Sequence, residues 1–96
     1  MLTLDLHGLS LQDAISRLVS TYNHHVEHGQ RGKISVVHGY GSSGKGGSLG
    51  PRIRALLDRH RVEYLCGELV DGNPGHTVLI PGRPIRLRQL KGGLDS

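Results

Sequence analysis

The chain has 96 residues and a formal net charge of +4, room for one small domain and not for two. It has no tryptophan and no phenylalanine, so leucine, valine and isoleucine must fill a core that buries about 60–65% of the unfolded surface at this size. Cys66 is the only cysteine, which excludes an internal disulfide and suits a reducing compartment; with no signal peptide at the start and no run near the roughly 20 apolar residues of a membrane span, a soluble cytoplasmic protein is expected.

Residues 2–8, LTLDLHG, alternate. Leu2, Leu4 and Leu6 share one side and Thr3, Asp5 and His7 the other, the period of a half-buried strand. Ser10 is an N-cap candidate with Asp13 three residues on. Leu11, Ala14, Ile15, Leu18, Val19, Tyr22 and Val26 then form one apolar stripe, which predicts a helix over 11–28 closed by Gly29. KISVVH, 33–38, reads as a buried strand. A second helix begins at Ser48 or Gly50, admits Pro51 in its first turn, buries Leu49, Ile53, Leu56 and Leu57, turns Arg52, Arg54 and Arg59 elsewhere, and ends near His60. VEYLCGELV, 62–70, and HTVLI, 76–80, read as two strands joined through the turn residues of DGNPG. The order β-α-β-α-β-β predicts a two-layer α/β sandwich, a four-stranded mixed sheet with two helices on one face. The domain is expected over 1–81, followed by a basic, flexible tail at 82–96.

Five glycines and Lys45 fall within HGYGSSGKGG, 38–47. From Gly39 the run is Gly39-x-x-x-x-Gly44-Lys45, one residue short of a nucleotide-binding P-loop. Gly46 stands where a serine or threonine would hold magnesium, and Gly46 and Gly47 delay the helix that should open on the lysine. This argues against nucleotide hydrolysis. The physics of the loop survives: glycines let backbone N–H groups approach a phosphate, and a helix N-terminus adds positive potential. Between residues 29 and 61 seven basic residues stand against the single acid Asp58, a concentration of charge that draws polyanions.

The first strand, helix and second strand make a βαβ unit, so their strands are parallel and their carboxyl ends share one edge, where open α/β sheets bind ligands. That brings Asp5 and His7 toward His38, Gly39, Tyr40 and Gly41. A carboxylate beside an imidazole can orient it and hold its proton; the pair could activate water or a ribose hydroxyl, or help bind a divalent ion such as magnesium. Spacing alone favours the plainer reading, two solvent-facing polar positions of a half-buried strand. Tyr40 could stack on an unpaired base. His24 and His28, one turn apart, have a zinc-compatible spacing without a further ligand nearby, and Cys66 reads as a small buried residue.

LDLHG at 4–8, HGYG at 38–41 and GNPGHTVLI at 72–80 together resemble the Smr domain, the small MutS-related domain, over residues 2–81. The resemblance implies a fold similar to the C-terminal domain of translation initiation factor 3. It also implies nucleic-acid binding, often with endonuclease activity that nicks DNA or cuts RNA. It puts Asp5 and His7 in the place linked to cleavage and His38, Gly39, Tyr40 and Gly41 in the loop linked to substrate, while Gly72, Gly75 and Thr77 close the fold nearby. The loop is longer here by SSGKGG, so its grip on substrate is expected to differ. The sequence therefore predicts an endonuclease in which Asp5 and His7 handle the proton and Lys45 and Arg52 join the loop amides on phosphate. The alternative is a module that binds nucleic acid or the ribosome without cutting.

Overall fold

The computed structural model describes residues 1–39 and 49–87. The chain runs β1 (Leu2–Asp5), α1 (Leu11–Glu27), β2 (Ile34–Val37), α2 (Leu49–Arg59), β3 (Glu63–Cys66), α3 (Gly67–Val70) and β4 (His76–Ile80). The strands form one sheet in the order β1-β2-β4-β3. β1 and β2 are parallel, with Leu4 opposite Val36 and Asp5 opposite Val37. β4 is antiparallel to both its neighbours: Thr77 faces Val36 on one side and Cys66 on the other. The expected mixed sheet is present, with α1 and α2 in contact over one face.

Strand alternation decides which side chains go into the core. Leu6, Ile34, Val36 and Leu79 meet Ala14, Leu18 and Tyr22 of α1 and Ile53, Leu56 and Leu57 of α2, all buried. Thr3, Asp5, Ser35 and Val37 fall on the opposite face. Ser10 caps α1 through its hydroxyl, which accepts from the Asp13 N–H at 3.1 Å, and Gly29 follows in the left-handed region with φ 75°. α2 stops in the same way but without a glycine. The N–H of Val62 bonds the Leu57 carbonyl and that of Arg61 bonds the Asp58 carbonyl, the paired bonds of a Schellman ending. Arg61 therefore takes the left-handed conformation, φ 59°, that glycine usually fills.

Two expectations are corrected. The strand read over 62–70 ends at Cys66, and residues 67–70 form the single helical turn α3. Gly67 opens that turn, and a Cβ built there would stand 2.2 Å from the Asn73 carbonyl oxygen and 2.4 Å from that of His76, so only glycine fits where the chain passes the start of β4. The turn chemistry of DGNPG is nonetheless real: Asp71 and Asn73 carboxyl and amide oxygens accept from the N–H groups of Asn73 and Gly75.

The flexible reading of the tail does not hold for residues 82–87. Ile85 is buried in the core. Its N–H donates to Asn23 Oδ1 at 2.7 Å and its carbonyl accepts from Asn23 Nδ2 at 2.8 Å, while the Gly82 N–H donates to the Tyr22 hydroxyl. One amide side chain on α1 thus does the work of a strand partner. Among the described residues no helix is long and apolar enough to cross a membrane.

Candidate functional site

Because β4 runs antiparallel between β2 and β3, its first residues meet the last residues of the other three strands at one rim. The Leu6 N–H still bonds the Val37 carbonyl, at 2.7 Å, and the chain then leaves the sheet at Gly8, φ 83°. At that exit Asp5 Oδ1 accepts from the His7 backbone N–H at 3.1 Å and pairs with the His7 ring Nδ1 at 2.5 Å. A carboxylate can only accept, so the Nδ1 proton lies between them and Nε2 is left outward. The side chains are 56% and 66% exposed respectively. The ring bond from His7 is the main reason the Asp5 carboxyl is held below its ordinary pKa, which keeps it ionised beside the imidazole.

Gly39 meets this couple. It has φ 80°, and a Cβ placed on it would touch His7 Cβ at 3.5 Å. The N–H groups of His38 and Gly39 both donate to the Gly75 carbonyl, at 2.9 and 3.0 Å. LDLHG, the pair His38–Gly39 and GNPGHT therefore converge, as the βαβ argument requires for the first two.

The remaining residues singled out by sequence divide. His38 alternates to the helix-covered face and is 5% exposed. Its Nδ1 lies 2.9 Å from the Gly39 carbonyl and its Nε2 2.9 Å from Thr77 Oγ1. Burial lowers its pKa, and both ring nitrogens are engaged inside the protein. Arg52, in the first turn of α2, is exposed. Tyr40, Gly41 and Lys45 lie outside the described residues. Cys66 is half-buried. His24 and His28 stack with centroids 4.0 Å apart on the exposed side of α1. Among the described residues no group of three or more His, Cys, Asp or Glu side chains could hold a metal ion; Asp5 and His7 offer two donors at most.

Three features escaped the sequence. Arg54, expected to point away with Arg52, instead donates through Nε to Thr77 Oγ1 at 3.1 Å, while its NH2 stands 3.9 Å from Glu68 Oε1. Its place beside the apolar stripe, one residue after Ile53, was the available signal. A second acid–imidazole couple joins Asp71 Oδ1 to His76 Nε2 at 3.0 Å, with His76 Nδ1 3.0 Å from Ser35 Oγ. The order serine, histidine, aspartate resembles a nucleophilic triad, but His76 is 7% exposed and Ser35 sits inside a central strand whose N–H groups are used by the sheet. This couple fastens the α3 turn to β4: Gly67 lies directly over the His76 ring. The third is the Asn23 clamp on Ile85, which only the docked tail reveals.

Comparison with known families and structures bears on this rim. A family model described as Smr domain matches residues 4–80. The fold is similar to the solution structure of the Smr domain of NEDD4-binding protein 2, at 22% identity over 84% of this chain and 85% of that one, TM-score 0.64. It is similar to the crystal structure of the human small-MutS related domain, at 25% identity over 82% of this chain and 99% of that one, TM-score 0.60. The solution structure of the B3BP Smr domain matches at 23% identity over 83% of this chain and 77% of that one, TM-score 0.59. No curated protein matches by sequence.

Proposed function

The chain belongs to the Smr domain family, and from that premise we propose that it binds nucleic acid at the rim and cleaves a phosphodiester bond there, with Asp5 and His7 as the proton-transfer couple. The observation that carries this reading is the Asp5–His7 bond, which points Nε2 of the imidazole outward beside Gly39.

The chemistry follows from the tautomer. Neutral His7, with its Nδ1 proton on Asp5, presents a lone pair at Nε2. That lone pair takes the proton of an attacking hydroxyl, either water or a ribose 2′-OH, as the hydroxyl oxygen bonds to phosphorus. Asp5 stays ionised and stabilises the imidazolium that forms. The imidazolium then returns the proton to the oxygen that leaves phosphorus. Charge on the phosphate is met by backbone amides of the loop that follows Gly39, by Lys45 and Arg52, and by the N-terminus of α2. No step runs through a metal ion, for which this rim offers two donors.

The test is purified protein on supercoiled plasmid and on structured RNA, with and without magnesium. His7→Ala is expected to lower the cleavage rate by about 10²–10⁴-fold, and Asp5→Ala by less. Equal activity in wild type and both variants removes the enzymatic claim. The openness of the couple favours one second reading, a domain that binds without cutting. It predicts salt-dependent binding that survives loss of Asp5 and His7 and weakens in Lys45→Ala/Arg52→Ala.

A further inference from the structure

We propose that Arg54 is a positioning residue for the rim: acting through the buried hydroxyl of Thr77, it locks the ring of His38 with its proton on Nδ1, and so holds the Gly39 turn against which His7 rests.

The argument is one of donors and acceptors. A guanidinium has no acceptor, so the 3.1 Å contact between Arg54 Nε and Thr77 Oγ1 has Arg54 donating. Thr77 is fully buried, so its single hydroxyl proton must find a partner inside the protein. Among the described residues, the acceptor within reach is His38 Nε2, at 2.9 Å. Nε2 must then carry a lone pair, and the ring proton sits on Nδ1. There it donates to the Gly39 carbonyl at 2.9 Å, an atom that can only accept. The direction of each bond is thus dictated from both ends, by a group that only donates and a group that only accepts. Gly50 presses on the same ring, leaving 2.8 Å between its would-be Cβ and His38 Cε1.

Protonating His38 would break this order. Nε2–H would meet a hydroxyl already accepting from Arg54, the Thr77 proton would be stranded in a dry site, and a second positive charge would stand near the guanidinium. Among the described residues, the charged and titratable groups around the ring are Arg54, His76 and Glu68. Arg54 and Glu68 themselves approach only to 3.9 Å, with Glu68 half exposed. Such a pair contributes little, so a purely surface ion-pair role does not account for a guanidinium anchored at Nε.

The test reads the ring directly, by long-range proton–nitrogen correlation of the histidines in the labelled full chain across pH 5–8. In wild type, His38 is expected with its proton on Nδ1 and a bare Nε2. In Arg54→Met its midpoint rises by roughly half a unit to one unit, the effect of removing a like charge joined to the ring through one hydroxyl, and the Gly39 amide shifts. Thr77→Val, which keeps Arg54 and breaks the relay, raises it too. Thr77→Ser behaves as wild type, and Glu68→Gln does not raise it. A folded Arg54→Met with the midpoint and proton position of wild type overturns the proposal. If that variant does not fold, an unchanged ring in Thr77→Val overturns it equally. The consequence for cleavage rests on the function proposed above: Arg54→Met lowers the turnover rate by about 10-fold or more through misplacement of the couple, while Thr77→Ser retains it. Absence of cleavage in wild type defeats that function and leaves the ring measurement standing.

Discussion

Replacing Gly50 by alanine sets two effects of opposite sign against each other. Alanine is the better helix former by about 0.5–1 kcal/mol in a helix interior, and less in a first turn, where Gly50 lies. Against this, the new Cβ would stand 2.8 Å from Cε1 and 3.0 Å from Nδ1 of His38, closer than carbon atoms pack. The ring cannot slide freely, since both its nitrogens are bonded and its partner Thr77 is fully buried. Moving it forfeits two bonds of about 1 kcal/mol each. Sterics therefore win, and Gly50→Ala should destabilise by roughly 1–2 kcal/mol net. In a domain this size each kcal/mol moves Tm by about 4–8 °C, so the fall is readily seen in a thermal melt. The decisive arm is the same substitution in a His38→Ala background. With the ring gone the space is open, only helix propensity remains, and the effect should vanish or change sign, a coupling of at least about 1 kcal/mol. A single-variant Tm equal to or above wild type, or equal losses in both backgrounds, refutes the reasoning.

Gly67→Ala meets backbone carbonyls at 2.2 and 2.4 Å with no side chain free to yield, so a loss above about 3 kcal/mol is expected in urea unfolding. Asn23→Ala removes both bonds to Ile85 and should cost about 2 kcal/mol, with amide exchange accelerated first at residues 82–87. Arg61→Gly relieves a left-handed φ of 59° in a non-glycine residue and should raise stability by about 0.5–1 kcal/mol; an unchanged or lower Tm counts against the assigned cap. Burial lowers the folded-state pKa of His38 below its unfolded value of about 6.5. The unfolded chain therefore takes up that proton first, and stability is complete above about pH 6.5 and declines as pH falls toward the depressed value. His38→Gln should flatten that part of the stability curve relative to wild type.

What the sequence reveals of the fold follows from how local each signal is. Leu2, Leu4 and Leu6 announce a strand because alternation is a property of neighbours, and the stripe from Leu11 to Val26 announces a helix for the same reason. GELV fails by that rule: it continues an apolar run without a break of its own, and the tight passage of Gly67 beside the Asn73 and His76 carbonyls is a contact with a later segment. Ile85 reads as part of a polar tail until Asn23, 62 residues earlier, supplies its backbone partners. At the rim, the meeting of Asp5 and His7 with Gly39 is legible because βαβ handedness fixes it. The inward turn of His38 could be taken from strand parity with Val36. The Arg54–Thr77 bond could not, because it depends on which strand lies beside β2.

That strand order carries more than one bond. Had β4 been an edge strand, its first residues would have ended beside β3 alone, and Gly75 could not have received the N–H groups of His38 and Gly39. Insertion between β2 and β3 puts Thr77 opposite Val36, one residue from the base of the loop. It puts His76 opposite Val37 on the other face, with Asp5 on Val37's far side. The two imidazoles that follow from β2 and β4 are thereby buried on opposite faces of the sheet, each with both ring nitrogens engaged. Of the histidines at the rim, only His7 keeps an outward Nε2, because β1 is the edge strand and its chain leaves the sheet at Gly8. Under the proposed function, proton transfer at this rim therefore falls to one ring by topology. A variant that exposes His38 or His76 should disturb the fold before it adds a second acid or base.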